Sequence, residues 1–153
     1  QPLFEGGPLA VVFVRTAIGP NARPGLEIVR IAEIGTDRGP AVVRTRSPYV
    51  PVSVDDFPSY RPNFAEPVVL LRSPYRVTFS YAGADRVWHD AWPPSTELPK
   101  AIRVRLRDAA TDRTLTVSTA VTVHADMPAD CVAAEVVADC IGRQRTPGVE
   151  TVQ

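Results

Sequence analysis

The chain has 153 residues, enough for one domain with a real core. It carries 17 basic and 17 acidic residues, so it lacks the basic surplus with which a general nucleic-acid binder displaces counterions. Its 44% hydrophobic and 22% charged residues are ordinary for a globular protein, but its 16 prolines are unusual, about twice the common share of ~5%; they exclude long uninterrupted helices and favour short strands joined by turns. No run approaches the ~20 apolar residues of a membrane span, and none reads as a signal peptide. The opening "QPLFEGGP", without an initiator methionine, predicts a processed protein or an expressed fragment. Attachment to a membrane through preceding residues is compatible with it.

From the start, "PLAVVFVRT" (8–16) is β-rich and ends in the turn-like "IGPNARPG". "LEIVRIAEI" (26–34) places Leu26, Ile28, Ala32 and Ile34 on one face and Val29 and Ile31 on the other, a strand covered in part on both sides. "GTDRGP" reads as a hairpin connection and "AVVRTR" (41–46) as its returning strand. Residues 47–67 hold five prolines and predict a long irregular surface loop. In "VVLLRSPYRVTFSYAG", Val77, Phe79 and Tyr81 alternate with Arg76, Thr78 and Ser80, the pattern of a half-buried strand. "AIRVRLRD" turns Ile102, Val104 and Leu106 inward and Arg103, Arg105 and Arg107 outward. "RTLTVSTAVTVH" sets Leu115, Val117, Thr119, Val121 and Val123 on one face, and the short "AATD" between the two runs predicts an antiparallel hairpin. The tail has room for one short helix between Cys131 and Cys140, and a frayed end from about 143 to 153. The whole reads as one domain, 1–153, of α+β class and mainly antiparallel β.

Chemistry is sparse along this chain. His89-Asp90 has the form of a metal-binding His-Asp pair, but His124 is the only other histidine, too few to complete such a shell. A loop residue beside aromatic anchors is the plainer reading. Asp55-Asp56 could hold a hard cation, but an EF-hand's alternating acids and turn glycine are missing, so a solvated acidic turn is expected. No G-x-S-x-G elbow, phosphate loop or dinucleotide fingerprint occurs. The row Arg103, Arg105, Arg107 with Arg113 lacks the interleaved aromatics on which bases stack; a solvent-exposed or subunit-contacting sheet face is expected. Trp88 and Trp92 serve either as a carbohydrate-stacking platform with Tyr81 or as a hydrophobic lid on the sheet. Cys131 and Cys140 are too far apart for a redox C-x-x-C motif and too few for a structural zinc. As a disulfide they would close a short loop, stabilising by roughly 2.5–3 kcal/mol in an oxidising compartment; two free buried thiols are the alternative. The expectation is therefore a protein that is not an enzyme, with no catalytic residue, cofactor or metal.

Taken in order, "FEGGPLAVVFVRT", "GLEIVRIAEI", "GPAVVRTR", "VVLLRSPYRVTFSYAG" and "W…W…LPKAIRVRLRD" resemble the periplasmic head of the minor pseudopilin family called general secretion pathway protein J, of the type II secretion system. The resemblance spans about residues 3–124. Its most specific element is W-x₃-W…L-P-x-A-[IV]-R, carried by Trp88, Trp92, Leu98, Pro99, Ile102 and Arg103. It implies a periplasmic head held at the bacterial inner membrane by a methylated N-terminal helix absent from this chain. It also implies a non-enzymatic role at the tip of a filament for protein export, with the minor pseudopilins of the I, K and H classes as partners. The isolated head is then expected to be monomeric. Leu3 and Phe4, where the helix would join, are expected partner contacts, and Leu98-Pro99 a strand start covered by the tryptophan loop.

Overall fold

A computed structural model describes residues 4–16, 25–50, 61–95 and 97–123. These residues form eleven strands in two antiparallel sheets. In chain order the strands are β1 (Phe4–Gly6), β2 (Ala10–Thr16), β3 (Leu26–Thr36), β4 (Gly39–Pro48), β5 (Ala65–Arg72), β6 (Tyr75–Ala82), β7 (Trp88–His89), β8 (Trp92–Ser95), β9 (Ala101–Asp108), β10 (Arg113–Thr114) and β11 (Thr119–Thr122). The first sheet runs β5-β4-β3-β2-β1-β8; the second runs β10-β9-β6-β7, with β11 also beside β9. The class shown is mainly antiparallel β, and no helix occurs among the described residues. The helix expected between Cys131 and Cys140 lies outside them, as do the cysteines themselves, Leu3, Asp55, Asp56, His124 and the 143–153 tail.

The long meander β2–β3–β4 follows from the sequence pattern. β3 and β4 pair from Glu27↔Pro48 to Thr36↔Gly39. Their turn places Gly39 at φ 95°, a conformation that a side chain resists. Register then sorts the faces: Phe4↔Phe13↔Val29 and Val11↔Ile31 put Phe4, Val11, Phe13 and Ile31 on one side. That side meets β6 of the second sheet. Phe4, Val11, Val42, Val77, Phe79 and Tyr81 form one buried cluster across the gap. Ile28, Ala32, Ala41 and Val43 on the opposite face are buried too, so the central strands are covered on both sides, as their mixed alternation suggests.

Two predicted elements differ from the structure. The irregular stretch 47–67 is claimed at both ends by strands, Ser47 and Pro48 by β4 and Ala65–Pro67 by β5. The proline there is tolerated because β5 is the edge strand, where a missing N–H leaves no ladder bond broken. The run after the 109–112 turn is not one strand but two. β10 pairs as Thr114↔Arg107, whereas β11 pairs as Thr119↔Val104, so residues 115–118 leave the ladder between them. Ser118 repairs the break. Its Oγ accepts from Leu106 N–H at 3.1 Å and donates to Leu115 C=O at 2.8 Å. Leu115 N–H donates to Leu106 C=O at 2.8 Å. Val117 and Val121, expected on a covered face, are 62% and 55% exposed.

A charged ladder closes one end of the sandwich face. Arg15 Nε donates to Glu27 at 2.8 Å from the directly opposed position. Arg46 reaches Glu27 at 3.7 Å and also pairs with Glu66. Glu27 is buried and would be costly without these partners. Arg76 of β6 grips Glu33 of β3 at 2.9 Å, tying the two sheets together.

Candidate functional site

The stretch from Trp88 to Pro99 is the most specific in the sequence, and it crosses between the sheets twice. β7 pairs with β6 through Tyr81↔His89 and Ala82↔Trp88 in the second sheet. Three residues later β8 pairs with β1 through Gly6↔Trp92 and Phe4↔Ser95 in the first. β9 then returns to the second. Pro93 and Pro94 sit in β8, the outer strand of its sheet, where their missing N–H groups make it a poorer template for another strand.

Each aromatic residue of this region has a separate task. Trp88 has the guanidinium carbon of Arg103 stacked 3.8 Å from its ring centre. Trp92 packs against the core cluster, and its indole N–H donates to Glu97 C=O at 3.0 Å. Tyr81 is fully buried. Its hydroxyl donates to Gly7 C=O at 2.9 Å, with Ala10 C=O at 3.3 Å, so it clamps the β1–β2 turn. Burial pushes its phenol well above the ordinary range. A Cβ on Gly6 would come within 2.2 Å of Tyr81 Cζ, so only glycine lets β1 approach this closely. The three aromatics therefore form no exposed row on which a sugar could stack.

Leu98 packs on the core and Pro99 is almost completely buried. Lys100 N–H donates to Ala82 C=O at 2.8 Å immediately before β9 begins. Leu98-Pro99 thus leads into the strand, as its rigid φ suggests. Phe4 is corrected from the expected docking residue. Its ring is buried and meets Tyr81 edge-to-face with centroids 5.6 Å apart, so it belongs to the protein's own core.

His89, expected as a loop residue beside aromatic anchors, lies in the two-residue β7. Its Nε2 lies 3.0 Å from Asp85 Oδ2, across the turn, and its side chain makes no hydrogen bond or ion pair with Asp90. The bond to His89, then the Val87 N–H, hold the Asp85 carboxyl below its usual range. Both side chains are about half exposed. Among the described residues no three His, Cys, Asp or Glu side chains are grouped to hold a metal ion. Nor is any helix among them long and apolar enough to cross a membrane.

The arginine row is the remaining candidate. Arg103 lies on Trp88 and Arg107 pairs with Asp112. No acidic side chain among the described residues pairs with Arg105, which borders a shallow groove of about 240 Å³ with Arg103, Thr114, Ser118, Thr119 and Ala120.

No family model, curated protein or solved structure matches this chain.

Two features escaped the sequence reading, and one of them left a signal. Gly6 stands between an aromatic residue and an alternating run, where a glycine marks close backbone approach. Asp85 as the partner of His89 left none, because only the geometry of the turn brings it within reach.

Proposed function

We propose that this chain is a non-enzymatic assembly domain, the head of a minor pseudopilin of the J class in type II secretion. The observation that carries this reading is the Trp88–Pro99 crossover. The most specific residues of the resemblance are spent on joining two sheets, and they leave neither a reactive cluster nor an open aromatic platform among the described residues. A protein of this kind acts through complementary surfaces. On this reading the head sits in the periplasm, an N-terminal helix supplies the membrane anchor and the α part of an α+β architecture, and the I, K and H classes are its partners.

The test is reconstitution. The purified chain should run as a monomer at micromolar concentration and shift to a defined complex when mixed with I-class and K-class heads on a sizing column. Failure to bind either head, together with oligosaccharide binding lost in a folded Trp88→Ala variant, would replace this reading with a carbohydrate-binding domain. A Leu3→Ala, Phe4→Ala variant cannot make the distinction, because loss of the buried Phe4 ring would weaken the fold itself.

A further inference from the structure

The outer face of β9 carries a row of cations that the protein neutralises only in part. Arg103, Arg105 and Arg107 alternate along the strand, so their side chains leave one face about 7 Å apart. Across β6, Arg107 stands opposite Arg76, a like-charge pair that is unfavourable by itself. The protein meets this locally: Arg76 is drawn to Glu33 and Arg107 to Asp112. Arg103 is laid on Trp88. Arg105 receives no such partner among the described residues. Its cross-strand neighbour on β6 is Thr78. On its other side the ladder is interrupted, because the register jumps between Thr114↔Arg107 and Thr119↔Val104. The groove left there is lined by Thr114, Ser118, Thr119 and Ala120 with Arg103 and Arg105, and no acid among the described residues lines it.

The geometry points to this face as the docking surface for an extended acidic segment of a partner protein. In an extended chain, carboxylates at every second position recur at about 7 Å, the same interval as the arginine row. Arg105 would take the central carboxylate through a charge-assisted, bidentate contact. Thr114 and Thr119 hydroxyls border the groove and offer polar contacts beside it. Arg103 would supply a second contact while staying on Trp88. Nothing in the groove reads bases, since its aromatic neighbour is already covered by Arg103. The inference rests on the assembly reading only in taking the partner to be a protein.

The experiment uses the whole chain and a synthetic peptide, acetyl-Glu-Thr-Glu-Thr-Glu-Thr-Glu-amide, labelled for fluorescence anisotropy. Binding is expected at low salt and should weaken severalfold by 0.3 M salt. Arg105→Gln should weaken it at least fivefold, while Arg38→Gln, at the β3–β4 turn, should leave it unchanged. A peptide of the same composition with its four glutamates in one block should bind more weakly. Equal binding by Arg105→Gln, equal binding of the block peptide, or complete displacement by equimolar inorganic phosphate would each overturn the proposal. Peptide binding without complex formation by the I-class and K-class heads would sink the pseudopilin reading and leave this surface standing. The converse result would do the opposite.

Discussion

Two alternating runs, similar in sequence, end in opposite circumstances. "VTFSY" in β6 places apolar residues at every second position, and "VSTAVTV" around β11 does the same except at Thr119. In β6, Val77, Phe79 and Tyr81 are buried against β1, β2 and β4. Near β11, Val117 and Val121 stand more than half exposed. The difference lies in what faces them. β6 is paired with β9 along its whole length and has the first sheet over its inner side. β11 is a four-residue edge strand, cut from β10 by the 115–118 excursion. Period-two alternation gives a strand two distinct faces, but a second layer has to cover one of them before the pattern yields stability.

The comparison breaks most severely at the clamp. Tyr81→Ala should cost about 3–5 kcal/mol in urea unfolding, since it empties the centre of the cluster and frees the β1–β2 turn. Gly6→Ala should come close to it, because overpacking typically costs about 1–3 kcal/mol and here the backbone of β1 must also move. If Gly6→Ala were neutral, the close approach of β1 to β6 would be wrong.

Trp92→Ala should follow at about 2–4 kcal/mol, less than for a fully buried indole because Trp92 is only partly covered. Its effect should exceed that of Trp88→Ala, whose main contact is a partly exposed cation–π stack worth about 0.5–1 kcal/mol. Equal losses would mean that the two tryptophans do not divide their tasks between the sheets.

On the open side, Val121→Thr should change unfolding by no more than about 0.5 kcal/mol. A loss several times larger would show that β11 is covered after all.

The smallest effect is a pH dependence at Asp85. Its carboxyl is held below the ordinary value by His89 and the Val87 N–H, so its contribution is present above the unfolded pKa of about 3.9 and fades as pH falls through the folded one. Thermal melts of wild type and Asp85→Asn should therefore differ slightly at pH 6 and converge at strongly acid pH. A difference that grew on acidification would contradict the depressed carboxyl.

Much of the fold was legible in the amino-acid order because its cues are local. Alternation marked β3, β6 and β9, the glycine at the "TDRG" turn marked the β3–β4 hairpin, and "AATD" marked the turn after β9. Pro99 announced the approach to β9 because its fixed φ and missing N–H suit that position. The tertiary structure alone decided the rest. It set Tyr81 against Gly6 and took Phe4 from a docking edge into the core. Among the described residues it also left Arg105 without an acid while it laid Arg103 on Trp88. The physical reason is range. Turn chemistry and strand period act over two to four residues, whereas burial, close approach and charge pairing depend on which strands the register brings together from distant parts of the chain.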